Sequence, residues 1–284
     1  MKTNLSLPEP ETVRDYVRQR YGAIAEQAGA GCGCGASTGC CATPAAAEPA
    51  GACCGGTGDA GGSYGEQLGY TADELAVAAD ADLGLGCGNP LAIAGIQPGE
   101  VVVDLGSGAG FDCLLAARRL AGTGRVIGVD MTPAMVTKAR ANAARSGLTN
   151  VEFRLGEIEA LPVADGVADL VISNCVVNLS PEKARVLGEA FRVLKPGGRL
   201  AIADIVATRA LPESMRAKLA AIGACVGGAA LVADVRSMLE AAGFVRIGIA
   251  PREGSRAMIS QWTEDETAGE FVVSALITAI KPKA

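Results

Sequence analysis

The 284-residue chain predicts an α/β fold with a mostly parallel, Rossmann-like sheet, and three observations carry that expectation. The apolar runs VVVDL, RVIGVD, VEFRL, DLVIS and RLAIADI alternate with helical stretches, the βαβα rhythm of a parallel sheet. The first run leads straight into a loop of three alternating glycines, Gly106, Gly108 and Gly110, and the second ends in an acid, Asp130.

Taken in order, residues 8–27 place Val13, Val17, Tyr21 and Ile24 at helical spacing with charges between them, which predicts an amphipathic helix that docks on a later part of the chain. Residues 28–63 turn into a mixture of glycine, alanine and cysteine, too poor in large apolar groups to fold alone, and read as a flexible linker. Six of the ten cysteines fall there: Cys32, Cys34, Cys40, Cys41, Cys53 and Cys54. A capping box, Thr-Ala-Asp-Glu from Thr71, starts a short helix, and GLGCGNP at 84–90 forms a glycine-rich loop before the first strand. Helices are expected after Gly110, after Thr132-Pro133 and after Ser180-Pro181, the last two as an N-cap followed by proline at the first helical position. KPGG at 195–198 is a turn from a helix into strand five and does no chemistry. Residues 211–242 read as helical, and FVVSALITAI reads as a last strand returning to the sheet. The expected organisation is an N-terminal helix with cysteine-rich linker (1–63), a cofactor-binding domain (64–206) and a small C-terminal portion covering the substrate (207–284).

Composition excludes several function classes. A formal charge of −6 and a pI near 4.9 argue against nucleic acid as partner, since that binding draws on clustered lysine and arginine. No apolar run approaches the ~18 residues of a membrane span, and the opening MKTNLSLPEPETV holds no signal-peptide core, so a cytoplasmic location is expected. The absence of histidine removes Ser-His-Asp and Cys-His nucleophiles and every histidine metal site. Cytoplasmic cysteines stay mostly reduced, which leaves packing, metal binding or reactivity as their roles.

Asp104 precedes the glycines in a D-x-G-x-G-x-G arrangement, whereas the dinucleotide fingerprint places its third glycine one residue later, where this chain has Phe111. Glycine lets such a turn take positive φ and approach a ligand closely. Asp130 stands where a carboxylate accepts hydrogen bonds from both ribose hydroxyls. No G-K pair occurs, so a donor poor in phosphate fits better than a nucleotide triphosphate. An ordinary strand-to-helix turn would explain the glycines alone; the two acids favour a cofactor. Together these residues resemble the S-adenosylmethionine loop of class I methyltransferases.

In an open parallel sheet ligands bind beyond the carboxyl ends of the strands. Cys175, two residues past Ser173 in ISNCVVNLS, falls on that edge, although a buried structural thiol is the common alternative. Cys87 lies in the glycine loop before strand one, and Cys225 in GACVGGA follows strand five. No C-x-x-C occurs, so only the tertiary fold can bring these thiols together. Cys113 and Asp112 open the helix after the glycine loop; the first reads as core, the second as a complement to the helix dipole.

The segments LGCGNP, VVVDLGSGAGFDC, GVDMT, LGEIE, ISNCVVNLS, VLKPGGRLAIAD and ACVGGA occur in the order found in arsenite S-adenosylmethionine methyltransferases, and the resemblance covers roughly residues 64–245. It implies arsenic-binding thiols at Cys87, Cys175 and Cys225, a further catalytic cysteine at Cys54 or its neighbour Cys53, and the seven-stranded methyltransferase sheet. It also implies donor-binding positions Asp104, Gly106, Ser107, Gly108, Asp130, Met131, Glu157, Ile158 and Asn174. The implied co-substrates are S-adenosylmethionine and an external thiol reductant, glutathione or thioredoxin. The implied partner is arsenite or a trivalent arsenic thiol conjugate, handled for detoxification. Soft thiolates suit a soft trivalent centre independently of that resemblance. Two rival readings are a methyltransferase acting on carbon or nitrogen of a small organic substrate, and a metalloid-binding protein without turnover.

Overall fold

The computed structural model describes residues 8–27, 63–263 and 267–283. The first helix, α1 (Pro10–Gln27), buries Val13, Val17 and Ala25. Two short helices follow, α2 (Tyr64–Leu68) and α3 (Ala72–Val77), each opened by a capping box, at Ser63 with Glu66 and at Thr71 with Glu74. The second box is the one the sequence announces. The loop bearing Cys87 then leads through α4 (Leu91–Ala94) into β1 (Val101–Leu105).

From there strand and helix alternate as expected: α5 (Phe111–Arg119), β2 (Arg125–Asp130), α6 (Pro133–Arg145), β3 (Val151–Leu155), β4 (Ala168–Asn174), α7 (Lys183–Val193) and β5 (Leu194–Ala207). Thr132 is the N-cap of α6 and Pro133 opens it, as expected, although the Thr132 side chain makes no cap bond. One helix start differs from expectation. Ser180 is not the N-cap of α7, which begins after Glu182. Its hydroxyl instead accepts from the Glu182 amide at 3.0 Å and donates to Glu159, because a buried carboxylate offers the stronger acceptor.

The stretch 211–242 is broken rather than continuously helical. It comprises α8 (Glu213–Arg216), α9 (Leu219–Gly223) and α10 (Val232–Ala241), separated where Cys225 takes a left-handed conformation and Gly227 and Gly228 follow. The chain then adds a strand absent from the sequence reading, β6 (Val245–Arg252), before α11 (Arg256–Ile259), α12 (Ala268–Phe271) and the expected last strand β7 (Val272–Ile280).

The sheet has seven strands in the order β3-β2-β1-β4-β5-β7-β6. The first five are parallel, and β7 runs antiparallel between β5 and β6. Register sets Leu105 beside Val129 and Ser173, so the loops leaving β1, β2 and β4 emerge at one edge. One apolar layer packs α4, α5 and α6 on one face, and another packs α7 and α10 on the opposite face. A third cluster, at the carboxyl edge, joins Val13 and Val17 of α1 to Cys87, Cys175 and Cys225. Docking of α1 on the rest of the chain is thereby observed, through apolar burial and through Tyr21, whose hydroxyl donates to the Gly223 carbonyl.

Candidate active site

The glycine loop follows β1 in a tight turn. Gly106 has φ +69° and a Cβ there would overlap the Val176 side chain; Gly110 has φ +94° and would place a Cβ 2.8 Å from Phe153. Gly108, φ +52°, faces open space. That space belongs to a cavity of about 360 Å³ at the carboxyl ends of the strands, lined by Asp104, Gly106, Ser107, Gly108, Asp130, Met131, Ile158 and Asn174 on one side and by Cys175 and Cys225 on the other.

Each oxygen of Asp130 is fixed by a backbone amide, Oδ2 by Gly108 at 2.9 Å and Oδ1 by Thr132 at 2.8 Å. Asp104 is buried and accepts from the Cys113 thiol at 3.2 Å, which explains why Cys113 is packed into the core away from the other thiols. Burial and the neighbouring Asp112 push the Asp104 carboxyl upward. Ser107 Oγ is buried with no hydrogen-bond partner among the described residues. Such a group normally has a partner. An orphaned hydroxyl beside a glycine cradle fits a ligand that arrives from solution.

Glu157 is the one expected donor-side residue absent from this lining. Its carboxylate turns to Arg18 of α1 at 3.2 Å, a charge pair the local sequence cannot announce. Asn174 lines the cavity, yet its carboxamide is already committed within the protein. The two hydrogens of Nδ2 are shared among three acceptors in reach, the Gly88 carbonyl at 2.8 Å, the Tyr70 hydroxyl at 3.0 Å and Asp112 at 3.2 Å, while Oδ1 accepts from the Cys87 amide at 3.0 Å. Asp112 lies in the first turn of α5, the position expected to complement the helix dipole, and it is also a buried acceptor that takes the Tyr70 hydroxyl at 2.6 Å.

The structure brings Cys87, Cys175 and Cys225 together from three distant segments. The Cys87 loop is pinned by Asn174, by Ser274 of β7 at 2.6 Å, and by its own thiol, which lies 3.5 Å from the Ala203 carbonyl. The Cys175 amide donates to that same carbonyl at 2.8 Å. The Cys225 thiol donates to the Cys175 carbonyl at 3.0 Å, and the Cys175 thiol is hydrogen-bonded to both its sulfur neighbours. Cys175 and Cys225 line the cavity and Cys87, fully buried, sits just behind them. Cys54, with Cys53 and the Cys32 to Cys41 cluster, lies outside the described residues.

Burial pushes the Cys87 thiol up to about 12, and Cys175 also rises through burial. Cys225 rises chiefly through its bond with Cys175. At neutral pH the three are thiols, and a thiophilic centre binds by displacing their protons. Cys175 and Cys225 have φ of 60° and 61°, left-handed values that cost a side-chain-bearing residue about 1–2 kcal/mol.

Sequence reasoning missed Asp204. It lies in β5, buried, with a carboxylate oxygen within 4.8 Å of both the Cys87 and Cys175 sulfurs. The signal was a single acid inside the apolar run RLAIADI. Also missed were Tyr21, Tyr64, Glu159 and Trp262, which are among the other lining residues.

A seven-stranded sheet with an antiparallel penultimate position, a glycine cradle after β1 and an acid ending β2 together define a class I methyltransferase. The sequence profile of the methyltransferase-domain family matches residues 96–243. An arsenite methyltransferase of Halobacterium salinarum is 51% identical over 276 residues, 96% of this chain and 68% of that one. One from Aquipseudomonas alcaligenes is 43% identical over 56% of this chain and 47% of its own length, and the Mus musculus protein 39% over 50% and 40%. The chain thus spans about two thirds of the first relative and under half of the other two. The crystal structure of an arsenic(III) S-adenosylmethionine methyltransferase from Chlamydomonas reinhardtii superposes with a TM-score of 0.57 at 34% identity, covering 79% of this chain and 75% of that one. The chain belongs to the arsenite methyltransferase family.

Left-handed backbone at the thiols predicts that Cys175→Gly unfolds at higher urea than Cys175→Ala, by about 1 kcal/mol, with the same ordering at Cys225. Equal midpoints would show that the loop relaxes without strain. Burial raises the Asp204 carboxyl from 3.8 to about 6, so folding favours its neutral form. Its contribution is complete below the unfolded value and is lost as pH climbs through about 6. Across that window wild-type protein is expected to lose on the order of 3 kcal/mol more than Asp204→Asn, read from urea midpoints at either end. Parallel pH profiles would refute the assignment.

Proposed function

We propose that this protein methylates trivalent arsenic, using Cys87, Cys175 and Cys225 to hold the metalloid and the glycine loop with Asp130 to hold S-adenosylmethionine. The supporting observation is the convergence of three buried thiols from separate segments at the cavity that the glycine loop opens into, Cys175 and Cys225 on its wall and Cys87 just behind them. Bound in that cradle, S-adenosylmethionine supplies a sulfonium methyl that the arsenic lone pair takes.

The chain's own contribution is positioning in a mostly apolar cavity. The amides of Gly108 and Thr132 hold the Asp130 carboxylate ready for ribose hydroxyls, and Ser107 Oγ offers its unused hydrogen bond. Met131 and Ile158 supply apolar walls for the adenosine portion. Asn174 acts from behind, fixing the Cys87 loop, and Glu157 acts through Arg18 by holding α1 over the cavity. Three thiols match the three bonds of trivalent arsenic and leave its lone pair free. No general base is needed, in keeping with a chain that has no histidine.

Methyl addition leaves arsenic formally oxidised by two electrons. A thiol pair returns it to the trivalent state as the two sulfurs join in a disulfide, which glutathione or thioredoxin then reduces. Cys54 or Cys53 fills that role with Cys87, carried by the linker. We place the activity in the cytoplasm, as arsenic detoxification; among the described residues no helix is long and apolar enough to cross a membrane.

Incubation with arsenite, methyl-labelled donor and a thiol reductant, followed by arsenic speciation, is expected to show labelled methylarsenicals. Serine at any of Cys87, Cys175 or Cys225 should reduce that transfer about 100-fold while leaving donor affinity, measured by calorimetry, near wild type. Undiminished transfer in all three would instead favour a small organic substrate. Deleting residues 28–63 should slow turnover of inorganic arsenite, and unchanged kinetics would remove the linker from the cycle.

A further inference from the structure

Beside the thiols stands a carboxylate for which methyl transfer to arsenic has no use. Asp204 follows Ala203, whose carbonyl already receives the Cys175 amide and the Cys87 thiol. Its oxygens are aimed by groups of its own neighbourhood: the Ile205 amide at 2.7 Å, the Asn178 amide at 3.2 Å and the Asn178 carboxamide at 3.0 Å. Carboxylates that ligate metals are commonly held by such outer hydrogen bonds.

We propose that Cys87, Cys175, Cys225 and Asp204 together form a closed four-donor site for a thiophilic divalent cation, zinc or cadmium. These side chains offer the same donor set whichever substrate the thiols serve. Trivalent arsenic forms three bonds and keeps a lone pair in the fourth direction, so it makes no use of a fourth donor. A zinc or cadmium ion has no such lone pair and takes four ligands in a tetrahedron. The Cys87 and Cys175 sulfurs and an Asp204 oxygen lie within 4.8 Å of one another, whereas the Cys225 thiol, donating to the Cys175 carbonyl at 3.0 Å, stands farther from at least one of them. Ligands about a tetrahedral zinc, at bond lengths near 2.3 Å for sulfur, stand roughly 3.8 Å apart, so a small inward movement closes these three about an ion, and Cys225 completes the shell by turning from that carbonyl.

Charge supports the same occupant. Three thiolates and a carboxylate around a divalent ion leave two negative charges. Lys183 acts electrostatically on Asp204 and Cys225, and Arg252 on Cys87, so two cations face that excess. On binding, three thiol protons pass to solvent as three metal–sulfur bonds and one metal–oxygen bond form. With four protein donors the ion has no open position and is inert toward methyl transfer. Occupancy takes the thiols out of use.

The test uses the full chain with Cys32, Cys34, Cys40, Cys41, Cys53 and Cys54 replaced by serine, titrated with cadmium by calorimetry and studied by X-ray absorption. The expected result is one ion per chain with three sulfurs and one oxygen in its shell. Asp204→Asn should weaken cadmium binding at least about 10-fold while leaving arsenite binding within about two-fold. No binding, an all-sulfur shell or an all-oxygen shell overturns the proposal, as does unchanged cadmium affinity in Asp204→Asn. If that variant fails to fold, the shell composition in the parent decides. Loss of arsenite binding alongside an intact cadmium site would count against arsenic methylation and not against the cation site.

Discussion

The carboxamide of Asn174 is the joint on which the site depends. It leaves the end of β4 and hydrogen-bonds at once to the Cys87 loop, to Tyr70 and to Asp112 at the start of α5. The loop that carries Cys87 and the helix that follows the glycine cradle are therefore set against one side chain. Because these partners are buried, the bonds are not exchanged for water, and leaving any of them unmade costs about 1–3 kcal/mol. A second joint, the Ala203 carbonyl, fixes Cys87 against Cys175 from the neighbouring strand. The distance between the thiol cluster and the glycine loop is thereby a property of the sheet's edge.

Low polarity shapes the chemistry as much as position does. Cys87, Cys175, Cys225, Asp104, Asp112 and Asp204 are all buried, and in each the charged form is disfavoured. A cluster of protonated thiols has little appetite for hard cations and favours a soft centre that displaces their protons. The left-handed backbone at Cys175 and Cys225 adds strain at these two positions, a pattern that clusters where function constrains the chain.

Much of this was legible in the residues themselves. Five apolar runs became five parallel strands, the Thr71 capping box formed, and Asp130 ended β2 facing the glycine loop, because local periodicity and capping act within a few residues. β6 escaped notice although Val245, Ile247 and Ile249 alternate as a strand should. It is an edge strand that buries little, its alternation is diluted by Gly248, and Pro251 weakens it. The helical reading of 211–242 failed for a related reason: composition favours helix there, but packing of Cys225 against Cys175 imposes a turn.

The sequence alone determined the α/β class and marked the glycine loop and Cys87, Cys175 and Cys225 as candidates, since apolar periodicity, glycine spacing and motif order are written along the chain. Only the tertiary structure decided that Asp204 joins the thiols, that Glu157 turns to Arg18, and that Asn174 spends its hydrogen bonds on the protein. Those choices are made between segments far apart in sequence. A buried donor or acceptor takes the partner that packing brings within reach, and no local pattern records which one that is.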